Sequence, residues 1–198
     1  MVERLLIFLR ERMPLTAEGE AVVRSSVKPR RFEKGAFLQR AGEVARHGHF
    51  VVSGCLRSFS IDEKGREHVL QFAPEGWWLT DFASIREQVP STFFIEALED
   101  SDVLLIDWPS HDRLVSGLPG YAAAMAAGLS KGNAAREQRL MDTMSLSAED
   151  RYLKFLEAYP SIAQRVPQHM VASYLGVTPE TLSRIRGQFA KKKRPRDR

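Results

Sequence analysis

The sequence contains a single cysteine, Cys55, among its 198 residues. One cysteine cannot form an internal disulfide framework or supply a cysteine-ligated iron–sulfur cluster. Apolar runs are also short, and none approaches the roughly 20 residues of a membrane-spanning helix. Charged residues interrupt the apolar patch at the N-terminus, which indicates an amphipathic helix and not a secretory signal. We therefore expect a cytoplasmic protein with no membrane partner.

The motifs of several enzyme classes are also missing. The sequence has no glycine-rich phosphate loop, zinc-protease helix or nucleophile elbow. His47 and His49 point the same way from a predicted strand, as at the start of a cupin-type metal site, but no glutamate follows at the required spacing. We expect no enzymatic activity, no metal site and no cofactor. Two alternatives are left open: a cupin-like barrel that binds a metal or a small molecule, and a barrel-containing module that regulates a partner protein.

Positive charge is concentrated at the C-terminal end. Residues 145–198 contain 11 basic and five acidic residues, a net charge of +6, whereas the whole chain has a net charge of +4. The densest basic run is residues 191–198, KKKRPRDR. Such a run can neutralise phosphates and release counterions without reading a base sequence. A solvated tail without a partner is the other interpretation.

Residues 168–187 have the pattern of a helix-turn-helix. Val171 and Leu175 lie one helical turn apart and share a face, as do Leu182 and Ile185. The two helices would then pack through one common apolar seam. Any small helical hairpin could have such a seam, so the residues of the turn and of the opposite face must distinguish the two interpretations.

The turn residues favour a helix-turn-helix. Gly176 stands where the first helix must end, since glycine accepts a positive φ. Thr178 and Pro179 suit the N-cap and the first position of the second helix. The polar face left free on that helix fits the DNA major groove. The predicted DNA-binding residues are Gln168, Thr178, Glu180, Thr181, Ser183, Arg184, Lys191 and Lys192.

The middle of the chain reads as β-structure followed by helices. Four apolar segments separated by turn signals predict strands of a β-sandwich or barrel: Phe50–Ser60, Glu67–Phe72, Thr92–Leu98 and Val103–Ile106. Residues 62–65 predict a hairpin turn. Residues 109–144 predict a long helix whose apolar stripe includes Gly128, which we interpret as a dimerisation helix. Core packing within one chain is the alternative for that stripe.

Two motifs in the β-rich half resemble a known family. The segment 32–38, FEKGAFL, resembles the opening of cyclic-nucleotide-binding-type β-barrels, and 50–57, FVVSGCLR, resembles a following strand and turn. A barrel, a long helix and a helix-turn-helix, in this order, resemble bacterial transcription regulators of the CRP/FNR family. This resemblance implies a homodimer on double-stranded DNA, with RNA polymerase as a possible further partner.

The expected effector site departs from the family pattern. Cyclic-AMP-responsive members hold the ribose with a Gly-Glu pair and the phosphate with an Arg-Ser or Arg-Thr pair. Here Trp77 follows Gly76 in place of the glutamate, and Ser91 and Thr92 occupy the second pair. Without the guanidinium, the pocket loses its bidentate charged contact to the phosphate, and Arg86 is the one nearby residue that could replace it. The candidate pocket residues for an unknown small-molecule effector are Gly76, Trp77, Trp78, Ser91 and Thr92.

The expected fold is therefore α+β: an N-terminal jelly-roll-like β-barrel, a long dimerisation helix and a C-terminal helix-turn-helix with a reduced wing. The expected domains are the barrel with its N-terminal helices (1–108), the dimerisation helix (109–145) and the DNA-binding domain with its basic tail (146–198). Before the helix-turn-helix only residues 162–166 could form a wing strand.

Overall fold

The structure, a computed structural model, describes residues 1–192, with side chains up to Phe189. Within these residues the strands are β1 (Lys28–Phe32), β2 (Phe37–Gln39), β3 (His47–Ser53), β4 (Leu56–Ile61), β5 (Glu67–Ala73), β6 (Trp78–Leu79), β7 (Phe94–Ala97) and β8 (Ser101–Asp107). The helices are α1 (Val2–Arg10), α2 (Ala17–Ser26), α3 (Phe82–Glu87), α4 (Trp108–Gly117), α5 (Tyr121–Ser145), α6 (Ala148–Ala158), α7 (Ile162–Arg165), α8 (Gln168–Leu175) and α9 (Pro179–Lys192).

The strands form two antiparallel sheets that face each other. One sheet has the order β1-β8-β3-β6 and the other has the order β2-β7-β4-β5. Apolar side chains from both sheets meet in one core, which includes Phe32, Val51, Leu56, Leu79, Ile95 and Leu105. Two facing antiparallel sheets around a shared core confirm the predicted jelly-roll-like barrel.

Turns divide the predicted strand Phe50–Ser60 and confirm the predicted hairpin. Gly54 has a φ of +91° and ends β3, so this segment forms two strands and not one. The hairpin between β4 and β5 lies at the expected residues: the Asp62 N–H donates to the Arg66 carbonyl at 3.0 Å, and Gly65 has a φ of +76°. The turn at Gly54 agrees with the strand and turn that the segment 50–57 resembles, whereas the apolar pattern of Phe50–Ser60 alone predicts one strand.

The predicted long helix over residues 109–144 is interrupted. Helix α4 begins after Asp107, whose carboxylate accepts the Ser110 N–H at 2.9 Å. It ends before Pro119, because the residue before a proline avoids the helical conformation. Gly120, with a φ of +88°, then precedes the 25-residue helix α5. The helix that we interpret as the dimerisation helix is therefore α5 alone.

The glycine-bearing face of α5 packs against its own chain. A Cβ atom at Gly128 would lie 2.5 Å from Phe8 Cζ of α1 and 3.2 Å from Trp78 Cδ1 of β6. A Cβ atom at Gly132 would lie 2.7 Å from the Gln71 amide nitrogen of β5. The stripe that includes Gly128 is thus a core-packing face, and its interpretation as the dimerisation surface is wrong. Glycine lets α5 approach the barrel closely.

We expect Gly128→Ala to lower the free energy of unfolding. Overpacking of a filled site costs roughly 1–3 kcal/mol, more than the ~1 kcal/mol that alanine gains over glycine inside a helix. Gly187 in α9 is the matched control, because a Cβ atom there would meet nothing within 4 Å. Gly187→Ala should raise the free energy of unfolding in urea titrations. A stabilisation of equal size by both substitutions would contradict the close packing of α5.

Candidate DNA-binding surface

The helix-turn-helix forms as the sequence predicts. Val171, Leu175, Leu182 and Ile185 are all buried, and they form the seam between α8 and α9. Val177, in the turn between the helices, packs against the same cluster. The inner side of α9 packs in this seam, so the outer side of the helix is exposed to solvent.

The turn residues fix the angle between the two helices. Gly176 has a φ of +67°, and its N–H donates to the Ser173 carbonyl at 3.1 Å. The Val177 N–H donates to the Ala172 carbonyl at 3.0 Å, which completes a Schellman motif at the end of α8. The Thr178 hydroxyl accepts the Thr181 N–H at 3.2 Å and caps α9. These contacts satisfy backbone groups that helix ends otherwise leave unpaired.

The outer face of α9 presents a short polar surface. Glu180, Ser183, Arg184 and Gly187 are all exposed. Hydrogen bonds from its own backbone N–H and from the Thr178 hydroxyl keep the pKa of the Glu180 carboxyl below its ordinary value. The carboxylate is therefore ionised at neutral pH and acts as an acceptor. Among the described residues, no carboxylate lies within ion-pair distance of Arg184, so its donors face solvent.

The remaining predicted DNA-binding residues differ in exposure. Thr181 is half-buried beside the cap, where Thr178 and Thr181 hydroxyl oxygens are 3.2 Å apart. Gln168 is half-buried at the start of α8, and its amide nitrogen donates to the Ala163 carbonyl at 3.4 Å. Gln168 thus holds the connector before α8. Lys191 and Lys192 are the last residues of α9, and their side chains lie outside the described residues, as does the tail from residue 193 onward.

Helix α8 is fixed to the barrel through β5, which is an edge strand of its sheet. The Ser173 hydroxyl accepts the Val69 N–H at 3.0 Å and donates to the Glu67 carbonyl at 2.9 Å. The Arg139 guanidinium of α5 donates to the Val69 and Leu70 carbonyls at 2.9 and 3.1 Å. These side chains replace the partner strand that β5 lacks.

An aromatic cluster and an ion-pair group complete this junction. Phe72 of β5 packs against Phe155, Tyr159 and Tyr174, with ring centroids 5.3–6.4 Å apart. In the connector before α8, Arg165 bonds with Glu75 at 2.8 Å and also with Glu99. Hydrogen bonds to Glu99 and then to Glu75 raise the pKa of Arg165, so it stays charged.

The sequence does not indicate the junction residues Ser173, Arg139 and Arg165. Each is an ordinary polar residue on a helix, and its bonding partners belong to barrel strands or turns that lie about 70 to 106 positions away along the chain. The expected wing strand is also wrong, because residues 162–165 form helix α7. No strand lies between residues 108 and 192 in the part of the chain that the structure describes.

The structure does not bring the five predicted effector-pocket residues together. Trp78 is buried against Phe50 on the outer face of the β1-β8-β3-β6 sheet, with ring centroids 5.1 Å apart. Trp77 packs against Tyr159, with ring centroids 5.8 Å apart, and follows Gly76 in a turn. Trp78 fills a packed region, whereas Gly76 and Trp77 line one cavity of about 490 Å³ that does not include Trp78, Ser91 or Thr92.

Ser91 and Thr92, the second predicted pair, are not available as a ligand site either. The buried Ser91 hydroxyl donates to Asp81 at 2.7 Å and accepts the Phe93 N–H at 3.3 Å, so its role is to hold a loop. Thr92 is exposed. The prediction of one pocket built from Gly76, Trp77, Trp78, Ser91 and Thr92 thus does not match the positions of these side chains.

The two histidines of the cupin-like alternative have different environments. His49 is buried, and its Nδ1 lies 3.0 Å from the Leu79 carbonyl oxygen. Burial lowers the pKa of His49 to about 4, which leaves the ring neutral. His47 is half-buried. The described residues contain no group of three or more histidine, cysteine or acidic side chains arranged to hold a metal ion.

No helix in the described part of the chain has both the length and the apolar character needed to cross a membrane.

Comparison with known proteins identifies the family. A sequence profile of the cyclic nucleotide-binding domain matches residues 29–117. The fumarate and nitrate reduction regulatory protein of Salmonella typhi is 30% identical over 172 residues, which cover 80% of this chain and 67% of that protein.

Solved structures show the same fold. FixK2 from Bradyrhizobium japonicum superposes with a TM-score of 0.73 at 20% identity, covering 84% of this chain and 85% of its own. A transcriptional regulator of the CRP/FNR family from Thermus thermophilus superposes with a TM-score of 0.61 at 19% identity, covering 84% and 87% of the two chains. With its barrel, long helix and helix-turn-helix in this order, the chain belongs to the CRP/FNR family of transcription regulators.

Proposed function

We propose that this regulator is a homodimer that binds double-stranded DNA sequence-specifically through the outer face of α9. The observation that carries the proposal is the exposed pair Glu180 and Arg184, one turn apart on a helix whose other side is buried in the seam. A capped, rigid helix with a polar outer face fits the major groove. Such a protein would act in the cytoplasm, without a catalytic role.

The chemistry of this pair suits base recognition. An ionised glutamate accepts from the exocyclic amine of cytosine, and an arginine donates to O6 and N7 of guanine. Neither Glu180 nor Arg184 has an ion-pair partner within the described residues, so DNA would not have to displace one. Ser183 lies between them and can donate to or accept from a phosphate or a base.

Dimer formation would use the face of α5 that points away from the barrel. One helix reads too few base pairs for genomic specificity, whereas two-fold symmetry doubles the site. The outward face of α5 carries small residues in its first half, such as Ala126 and Ser130, and large apolar ones near its end. Leu140, Met141 and Met144 are 63%, 50% and 83% exposed. Apolar exposure at this density on one helix is typical of an interface.

The three-part division of the chain is part of this proposal. The last strand of the barrel ends at Asp107, and α5 ends at Ser145. We keep a barrel over 1–108, a dimerisation segment over 109–145 and a DNA-binding domain over 146–198. Within the second segment the proposed dimer surface lies on α5, and α4 precedes it.

We also propose that the barrel does not bind cyclic AMP or cyclic GMP as cyclic-AMP-responsive relatives do. A buried cyclic phosphate needs a paired cation. Ser91 cannot supply one, and its hydroxyl is already bonded to Asp81 and Phe93. Trp77 cannot accept from a ribose hydroxyl, because its indole is only a donor. Any effector of this protein would therefore be a compound other than a cyclic nucleotide, or would bind at a different site.

The first prediction separates base recognition from phosphate binding. Arg184→Ala should cost roughly 1–3 kcal/mol of affinity for a specific duplex and little for random DNA, because it removes a base contact. Arg186, also exposed but on another side of α9, is the matched control. Arg186→Ala should change both affinities by a similar factor. Fluorescence anisotropy at fixed salt measures all six constants, for the wild type and both variants on the two duplexes. Equal losses on both duplexes for Arg184→Ala would assign Arg184 to the phosphates.

The second prediction concerns the basic tail. Deleting residues 191–198 removes six positive charges and one negative charge. Affinity for specific and random duplexes should fall together. The slope of log K against log salt should flatten by about 0.9 for each phosphate that the shortened chain no longer neutralises. The slope is measured by anisotropy over a salt series. An unchanged slope would exclude the tail from the interface.

The third prediction tests the outward face of α5. Met141→Lys combined with Met144→Lys places like charges against each other across a two-fold axis, so the dimer should weaken at least roughly tenfold. Val115→Lys on α4 is the control, since Val115 is 39% exposed but lies outside this face. Light scattering over a concentration series reports the mass. A double variant as dimeric as the wild type would move the interface elsewhere.

A further inference from the structure

A cavity of about 450 Å³ lies between the second half of α5, helix α6 and helix α8. We call it the hinge cavity, because α5 belongs to the barrel side of the junction and α6 and α8 belong to the helix-turn-helix side. Phe155, Tyr159 and Tyr174 form an aromatic wall, with ring centroids 5.5–5.9 Å apart. Ala135 and Thr143 of α5 line the opposite side. The volume is in the range of small-molecule sites in proteins.

Two guanidinium groups on the walls lack a counter-charge. Arg139 donates to the neutral Val69 and Leu70 carbonyls and lies over the Tyr174 ring, with its guanidinium carbon 4.3 Å from the ring centroid. The Nε of Arg151 is buried without a hydrogen-bond partner. No carboxylate of the described residues lies within ion-pair distance of either arginine. Burial, and to a lesser degree repulsion from Arg151, lower the pKa of Arg139. An anion between the two groups would relieve both costs.

The other charged groups on the cavity wall do not supply that anion. Asp142 is bonded to Lys154 at 2.7 Å and to the Gln138 amide at 2.8 Å, so its charge is already compensated. Glu157 is exposed to solvent. The lining therefore keeps a surplus of positive charge beside an aromatic wall. This combination recognises a ligand that is both flat and negatively charged.

We propose that the hinge cavity binds a small aromatic anion, a carboxylate or sulfonate with one or two aromatic ring systems. Its acid group would lie between Arg139 and Arg151, and its rings would lie against Phe155 and Tyr159 of the aromatic wall. The site is outside the barrel and on the side of α5 opposite the outward face proposed for dimerisation. An occupant would contact α5 and α8 together and restrain the helix-turn-helix against the barrel.

The test uses 8-anilinonaphthalene-1-sulfonate, an aromatic monoanion, and N-phenyl-1-naphthylamine, its uncharged counterpart. Titration calorimetry on the full chain should show that one molecule of the sulfonate binds per chain. The uncharged compound should bind with clearly lower affinity. Arg151→Gln should weaken sulfonate binding at least roughly tenfold, since it removes the charge and keeps much of the length. Arg136→Gln is the control, because Arg136 is exposed on α5 and bonds to Asn133; it should leave binding unchanged.

A second test fills the hinge cavity with a larger side chain. Ala135→Leu should abolish sulfonate binding, whereas Ala122→Leu, at an exposed position of the same helix, should not. Circular dichroism confirms that each variant is folded. Any of four results would overturn the proposal. The sulfonate could fail to bind, or it could bind Arg151→Gln as tightly as the wild type. The uncharged compound could bind as tightly as the sulfonate, or Ala135→Leu could retain sulfonate binding. None of these measurements involves DNA, so the result is independent of the proposed DNA-binding function.

Discussion

The unpaired edge of β5 is the constraint on which the arrangement of this molecule depends. Its outward N–H and C=O groups need partners, since a buried backbone group without one costs free energy comparable to that of a hydrogen bond. The Ser173 hydroxyl and the Arg139 guanidinium supply those partners from two different helices. Because Ser173 belongs to α8, the same bonds that complete the sheet also fix the helix-turn-helix, and they leave the outer face of α9 in solvent.

A structural feature can be predicted from the sequence when the residues that form it lie close together along the chain. The helix-turn-helix is predictable because Gly176, Thr178 and Pro179 act on residues next to them in the chain. The barrel is predictable from short apolar segments and from the hairpin at residues 62–65. The face of α5 is assigned wrongly, because glycine and alanine permit close packing against any helix or strand. Only the fold shows that the surface facing Gly128 is Phe8 and Trp78 of the same chain.

Helix α5 connects the barrel, the proposed dimer surface and the helix-turn-helix. One face packs on the barrel through Gly128 and Gly132, the opposite face exposes Leu140, Met141 and Met144, and Arg139 reaches across to β5. The hinge cavity opens between the end of this helix and α6. A change in how α5 meets its neighbours would therefore act on the barrel, on dimerisation and on the placement of α9 at once. This coupling follows from contacts and needs no cyclic nucleotide in the barrel.

Two copies of this chain would bind duplex DNA through their α9 helices. Selection of bound sequences from random duplex DNA, at one stated salt concentration, decides whether they do. We expect enrichment of a palindrome whose half-sites are about 10 base pairs apart, centre to centre, as two recognition helices in successive major grooves require. Binding without an enriched sequence, or an enriched site without two-fold symmetry, would contradict it.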